Sequence, residues 1–357
     1  MIDKNQKITQ VELVPPNSDW PRLFAEVEKE LKQILQGNLT EIYHIGSTAI
    51  PGIYAKPIID VLPVVNDIQL IDALTSQFEA FGYVCMGEYG IPGRRFYWKS
   101  KTARTHNIHL FQEGSPEISR HLAFRDFMRQ HLDYAQAYSF LKRNLADVFP
   151  TDIENYVNGK SSFVQFIDYK TGNARDIQLH AKDSIVIQPY TPIWEKLAVA
   201  EIKTIQQTIL LPYVSIEHIG STAVPHLSSK PVIDLFIVLK SITEAMQWIK
   251  PLETLGYVFW EDNPDNAHLR FFKGMPPFGE KRTHHVHIVD AANPTLEHRI
   301  LFRNILRQDA KVREKYEVLK MKLSHQYAAD REAYTDGKNQ FIESILRQHW
   351  YSKPIVR

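Results

Sequence analysis

Cysteine is almost absent from this sequence of 357 residues, and long apolar runs are absent altogether. The single cysteine, Cys85, excludes an intrachain disulfide framework. No run approaches the roughly 20 apolar residues that a membrane-spanning helix needs, and the first residues lack the apolar stretch of a secretory signal. The net charge of +1 excludes the broad cationic surface of a typical nucleic-acid binder. We therefore expect a cytoplasmic protein without a membrane or nucleic-acid partner.

One polar segment occurs twice. Residues 44–60 read HIGSTAIPGIYAKPIID, residues 218–234 read HIGSTAVPHLSSKPVID, and most positions are identical. The second copy follows the first by close to half the length of the chain. An apolar core tolerates many fillings, so packing alone does not account for a retained Gly-Ser-Thr, Lys-Pro and final Asp. The segment therefore predicts a tandem duplication whose retained residues have a function.

The repeat extends over both halves and predicts two domains, residues 1–175 and 184–357. The spacing between matched residues is constant up to the pair Tyr83 and Tyr257 and is longer from Thr105 and Thr283 onward, so the second copy gains a short loop in between. Each copy reads as a helix, a strand, the Gly-Ser-Thr turn, an apolar strand, a helix, three further strands and a helical last third. This order predicts an α+β fold, a mixed β-sheet flanked by helices in each domain. The duplication also suggests a pseudo-dimeric monomer.

The Gly-Ser-Thr turns are candidate phosphate sites. They consist of Gly46, Ser47 and Thr48, and of Gly220, Ser221 and Thr222. Glycine permits a sharp turn, and backbone N–H groups with two hydroxyls can cradle a phosphate. The alternative is a turn capped by its own hydroxyls. Lys56 and Lys230 precede proline and are thus biased toward extended backbone, where each meets a phosphate as a point charge or stays solvated.

Two aspartates interrupt apolar strands. A buried carboxylate is costly unless it is paired, hydrogen-bonded or bound to a cation, so we interpret Asp60 and Asp234 as catalytic or metal-binding. The alternative is a carboxylate satisfied by backbone N–H groups or by the nearby lysine.

Histidines on a later strand add candidate ligands. His285 and His287 share one strand face, as do Asn107 and His109, and imidazoles two residues apart can bind one metal or one phosphate. The predicted metal ligands are Asp60, His109, Asp234, His285 and His287. The first copy keeps a single histidine on this face, and a histidine pair without metal is the alternative for the second.

Arg95 and Arg270 lie in the aromatic segments RFYWK and RFFK. An arginine there can bind an anion bidentately, or it can stack on its aromatic neighbours at the surface. We predict that both contact the ligand.

Taken together, HIGSTAIPG with KPIID, GRRFYWK, the histidine strand and LAFRDFMRQH resemble the GrpB family, over residues 10–170 and 184–350. That family is uncharacterised and belongs to the nucleotidyltransferase-fold superfamily, so the resemblance implies a nucleotidyltransferase-like domain in each half. Active enzymes of the superfamily follow a Gly-Ser turn with Asp-x-Asp and a third carboxylate, which bind two Mg²⁺ ions. Here Leu62 and Phe236 occupy the position of the second carboxylate.

The resemblance leaves two hypotheses for function. The first is a divergent nucleotidyltransferase with a reduced carboxylate set and a divalent ion, either Mg²⁺ or a transition metal that tolerates histidine. The second is a non-catalytic module that binds a nucleotide, another anion or a partner. Both predict a nucleotide or small-molecule ligand for the retained turn. The alternative to both is a structural or interaction protein in which the motif only fixes a turn.

Overall fold

The chain forms two compact units, Met1–Arg175 and Asp176–Arg357. Our computed structural model describes residues 10–100, 104–174, 185–263 and 268–350. The predicted junction, residues 176–183, lies outside the described residues. Each unit contains a five-stranded mixed sheet flanked by helices, and the two units repeat the same order of elements. The predicted α+β tandem duplication is confirmed. No helix in the described ranges is long and apolar enough to cross a membrane.

The first unit has six α-helices and five strands in its described residues. They are α1 (Trp20–Leu35), β1 (Leu39–Ile45), β2 (Ile59–Val65), α2 (Leu70–Ala73), α3 (Thr75–Ala80), β3 (Tyr83–Cys85), β4 (Arg95–Ser100), β5 (Arg104–Gln112), α4 (Pro116–Gln130), α5 (Leu132–Val148) and α6 (Ile153–Lys170). The sheet order is β1-β2-β5-β4-β3, with β2 and β5 parallel and the other neighbours antiparallel.

The second unit repeats this architecture. Its elements are α7 (Ile193–Thr208), β6 (Ser215–Ile219), β7 (Ile233–Leu239), α8 (Ile249–Glu253), β8 (Tyr257–Phe259), β9 (Leu269–Lys273), β10 (His284–Asp290), α9 (Pro294–Gln308), α10 (Ala310–Gln326), α11 (Arg331–Asp336) and α12 (Asn339–Trp350). The sheet order is β6-β7-β10-β9-β8, and β7 and β10 are the parallel pair.

Both faces of each sheet are covered, which explains the nearly continuous apolar sequence of β2 and β7. In the first unit, Val61 and Ile108 face the core formed with α1, whereas Leu62 and Phe111 face the side where α4 packs. Asp60 shares the second face with Leu62 because side chains alternate along a strand. The aspartate therefore lies on the side of the sheet covered by the C-terminal helices.

The strand register locates the residues gained by the second copy. Tyr257 pairs with Lys273 as Tyr83 pairs with Lys99, so the spacing of the first part of the repeat persists through β9. The extra residues therefore lie between Lys273 and Thr283, in the connection from β9 to β10. This agrees with the predicted loop insertion and narrows its position.

Candidate functional site

A glycine turn lies directly against the strand aspartate in each unit. Gly46 has φ +71° and Gly220 has φ +75°, with ψ near 180°, a conformation that essentially only glycine adopts. An added Cβ would lie 2.4 Å from Oδ2 of Asp60, or 2.5 Å from Oδ2 of Asp234. The absence of a side chain therefore allows the turn and the carboxylate to pack together.

Replacing this glycine is expected to destabilise the first domain. Gly46→Ala should lower its free energy of unfolding by about 2–5 kcal/mol, because backbone strain and a clash with Asp60 add up. Gly52→Ala is the matched control, since Gly52 also has positive φ but the nearest atom to its added Cβ is 3.9 Å away. Urea unfolding measures both variants. Equal losses of unfolding free energy in the two variants would show that the contact between the added Cβ and Asp60 does not contribute.

The threonine of the turn is a structural residue. The buried Thr48 hydroxyl donates its one hydrogen to the carbonyl oxygen of Ile58 at 3.1 Å, so the Nε2–H of His44 must donate to Thr48 at 3.0 Å. Burial lowers the pKa of His44 to about 4, which agrees with a neutral imidazole. Thr222 makes the equivalent bonds in the second unit. The Thr48 and Thr222 hydroxyls are thus not available to a phosphate, contrary to the prediction.

Arginines from the C-terminal helices hold the same turn. Arg125 donates to the carbonyl oxygen of His44 at 3.1 Å, and Arg129 donates to that of Ala49 at 2.9 Å. Arg303 and Arg307 make the equivalent bonds to His218 and Ala223. The arginines of the LAFRDFMRQH segment therefore fix the backbone around the glycine.

Asp60 ends a chain of polar contacts in the first unit. Its Oδ1 accepts a hydrogen bond from Asn107 at 2.8 Å and lies 3.4 Å from Nε2 of His109. Arg94 donates to Nδ1 of His109 at 3.2 Å, so the proton of a neutral His109 lies on Nε2, toward Asp60. Burial opposes ionisation of Asp60, but the bonds from His109 and Asn107 outweigh it and lower its pKa.

Asp234 has different partners in the second unit. Its Oδ1 lies 2.9 Å from Nδ1 of His285, and one ligand atom from each of Asp234, His285 and His287 lies within 4.8 Å of the others. Burial raises the pKa of Asp234, but the hydrogen bond and charge of His285 lower it to about 2. Within the described part of the chain, this is the one group of three His, Cys, Asp or Glu side chains placed to share an ion. In the first unit, Asp60 and His109 lack a third such ligand among the described residues.

Arg95 and Arg270 are not equivalent. Arg95 lies on the α1 face with Tyr97, where its guanidinium binds both carboxylate oxygens of Asp72 at 2.6 and 2.7 Å. The prediction that Arg95 belongs to the site is wrong, because the strand directs its side chain to the opposite face from Asp60. Arg270 pairs in register with His287, as Phe96 pairs with His109, and so it does lie on the site face.

Two lysines flank one tyrosine ring in each unit. The ammonium groups of Lys56 and Lys160 lie 4.8 and 5.0 Å from the ring centroid of Tyr156. Those of Lys230 and Lys338 lie 5.0 and 4.2 Å from that of Tyr334. The predicted Lys56 and Lys230 are therefore each joined by a second lysine.

Each lysine pair is electrostatically strained. Burial and the charge of Lys160 lower the pKa of Lys56 to about 8, and burial and the charge of Lys230 lower the pKa of Lys338 to about 7. Among the described residues, neither Lys56 nor Lys160 has a carboxylate within salt-bridge distance. The charge of Asp60 acts on both lysines and opposes the lowering of their pKa.

The GrpB protein family model matches residues 10–170 and again residues 184–348. The chain belongs to the GrpB family. UPF0157 protein YqkA of Bacillus subtilis is 38% identical over 177 residues, which are 50% of this chain and 52% of that protein. UPF0157 protein PA4798 of Pseudomonas aeruginosa is 42% identical over 164 residues, 46% of this chain and 67% of that protein.

A crystal structure of the conserved protein GrpB from Enterococcus faecalis is 40% identical, covers 45% of this chain and 96% of that chain, and has a TM-score of 0.44. Each of these matches covers about half of this chain. The chain in turn spans about half the length of YqkA and two thirds of PA4798. The predicted family and its tandem repetition are confirmed.

Several polar residues of the two GrpB domains escaped the sequence-based prediction. Buried Lys142 donates to the carbonyl oxygen of Tyr54, and Lys320 donates to that of Ser228, at the segment that leads to the predicted lysine. The hydroxyl groups of Tyr138 and Tyr316 lie beside the serines of the two turns, Ser47 and Ser221. Their recurrence at equivalent positions of the two repeats was a usable signal, because polar residues in helices are otherwise free to vary.

Proposed function

We propose that each GrpB domain binds a ligand that carries phosphate, with nucleotides as the expected class. The observation that carries the proposal is the pair of lysines over one tyrosine, Lys56 and Lys160 over Tyr156 and Lys230 and Lys338 over Tyr334. Two half-buried ammonium groups that repel one another gain free energy when an anion lies between them.

The surroundings of the lysines support this assignment. Tyr138 or Tyr316 lies beside the serine of each turn and is influenced by the charge of Asp60 or Asp234, and the serine offers a hydroxyl to an anion. The Asp60 and Asp234 side chains are 26% and 29% exposed, so solvent and small ligands can reach the cluster. In the second domain, Arg270 adds a further cation on the same face.

Binding without nucleotidyl transfer is the better-supported form of the proposal. Leu62 and Phe236 are buried where the second carboxylate of Asp-x-Asp would stand, and they pack in apolar clusters. Two Mg²⁺ ions need several oxygen ligands, and one aspartate beside histidine does not supply them. The nucleotidyltransferase-like character of the domains remains a prediction.

Nucleoside triphosphates are expected to stabilise the full-length chain. At about 100 times the dissociation constant, a ligand raises the free energy of unfolding by about 2.7 kcal/mol. Thermal unfolding with ATP, GTP, CTP, UTP and inorganic phosphate, each with and without Mg²⁺, measures this effect. The nucleosides without phosphate are matched controls and should have no effect. Absence of a shift with every phosphate compound would contradict the proposal, and release of pyrophosphate would favour the transferase alternative.

A further inference from the structure

The second domain contains a cluster of potential metal ligands that the described residues of the first domain lack. Asp234, His285 and His287 come from the adjacent strands β7 and β10, which pair in parallel with His285 opposite Asp234. One ligand atom from each lies within 4.8 Å of the others. Ligands at 2.0–2.2 Å from a tetrahedral metal lie roughly 3.4 Å apart, so small side-chain rotations close the set around an ion.

Unsatisfied ring nitrogens support a missing ligand at this position. Nδ1 of His287 is buried and has no hydrogen-bond partner among the described residues. His285 directs Nδ1 at Asp234, and Nε2 on the opposite edge of its ring also lacks a partner among these residues. Buried polar atoms without a partner are rare in folded proteins, and each calls for an explanation such as an ion. The His285 and His287 side chains are held by strand backbone rather than by loops, which favours a preorganised site.

In the first domain, the equivalent residues bond to Asp60 and His109, and the atom left without a partner among the described residues is Oδ1 of Asn107. Asn107 stands where the second domain has His285, and its amide donates to Asp60 at 2.8 Å. Both ring nitrogens of His109 face partners, Arg94 on one side and Asp60 on the other.

We propose that the second domain, and not the first, binds one divalent transition-metal ion through Asp234, His285 and His287. Two imidazoles and one carboxylate suit Zn²⁺ or Fe²⁺ rather than Mg²⁺, and three protein ligands leave a coordination position open for solvent or an anionic oxygen. An anionic oxygen there offsets the positive charges of Arg270 and Lys230, which lie close enough to act on His287 and Asp234.

Cobalt(II) is a suitable probe because its visible absorption reports the coordination geometry. The full-length chain, stripped with a chelator, is expected to bind one Co²⁺ with the intense bands of a four- or five-coordinate site. His285→Asn reproduces the residue of the first domain. It should weaken Co²⁺ binding by more than about 100-fold, since losing even an outer hydrogen-bond partner of a metal ligand costs about 10–100-fold.

His109→Asn is the matched control in the first domain and should leave the stoichiometry and affinity unchanged. Circular dichroism of each metal-free variant checks that it folds, and His287→Gln replaces His285→Asn if the latter does not. Absence of the bands, Co²⁺ binding by His285→Asn or His287→Gln as tight as that of the wild type, or two ions per chain would each overturn the proposal. The metal proposal can fail independently of the phosphate proposal, because nucleotide binding through the lysine pairs is measured by thermal unfolding without any metal.

Discussion

Loss of either member of the buried Glu201–Lys273 pair is expected to lower the free energy of unfolding of the second domain by about 3–5 kcal/mol. The ammonium of Lys273 lies 2.8 Å from Oε1 of Glu201, and the two side chains are only 1% and 3% exposed. The hydroxyl of Tyr257 donates to the same oxygen at 2.9 Å. Removing one charge leaves the other buried without a counter-charge, which is the expensive arrangement.

The first domain provides a matched pair for comparison. Lys99 lies 2.7 Å from Glu30, which also accepts from Tyr83 at 2.8 Å, but these lysine and glutamate side chains are 19% and 29% exposed. Water can solvate a charge left behind there, so Glu30→Gln should cost only about 1 kcal/mol. Urea unfolding of Glu201→Gln and Glu30→Gln, followed by circular dichroism, measures the difference, and each variant keeps the other domain as an internal reference.

Two further measurements test the electrostatic origin of the loss. Replacing both Glu201 and Lys273 by methionine should recover most of the stability, because an apolar pair leaves no buried charge. Burial opposes ionisation of Glu201, but Lys273 outweighs it and lowers the pKa of the folded state. The stability that Glu201 contributes is therefore present above its unfolded pKa and is lost as the pH falls through the folded value. Equal losses in both domains, or no recovery in the double variant, would contradict this account.

This ion pair also shows where comparison of the two sequence repeats stops being informative. In the alignment that matches His44 with His218, Glu201 corresponds to Val27, and Glu30 corresponds to Thr204. The glutamate has moved by about one helical turn, which keeps it on the same helix face. From either position the glutamate reaches the lysine on the fourth strand of its own domain, Lys99 or Lys273. An alignment of the two repeats nevertheless does not match one glutamate with the other.

The strands were predictable because their composition is decisive. The apolar strand predicted after each Gly-Ser-Thr turn is β2 in the first copy and β7 in the second, and β6 is the strand predicted before the second turn. The two arginines were not predictable in the same way. Arg-Phe occurs at Arg95 and at Arg270, but strand pairing shifts the second arginine by one position. A shift of one residue reverses the face of a side chain, so only the register separates a site residue from one on the opposite face.

The site itself was partly predictable. The repeated segment identified Gly46, Asp60 and Lys56, because these residues lie on one stretch of chain. Lys160 and Tyr156 come from α6, far along the sequence, and only tertiary packing brings them to Lys56. Long-range contacts between a helix and a turn leave no local pattern in the sequence, and recurrence in both copies is the single trace of their importance.

Lys338→Met is expected to weaken ligand binding without lowering the stability of the ligand-free chain. Methionine keeps the length of the side chain and removes a charge whose pKa burial and Lys230 lower to about 7, so the ligand-free chain should be as stable as the wild type or slightly more stable. Binding of the phosphate ligand to the second domain should weaken by about 2–5 kcal/mol, which is roughly 30-fold or more. Calorimetry of the full-length chain should then find one strong site instead of two.

The control and the pH dependence make this test specific to the lysine pair. Lys322→Met removes an exposed charge on the same chain and should change neither quantity. Because the folded pKa of Lys338 lies near 7, the lysine loses its charge as the pH rises from about 7 toward 9, and phosphate binding should weaken over that range. A bound anion favours the charged form, so the wild type should take up protons on binding near pH 8, and Lys338→Met should take up fewer. A destabilised Lys338→Met chain that keeps two strong sites would mean that the lysine pair serves packing, and the phosphate proposal would lose its main support.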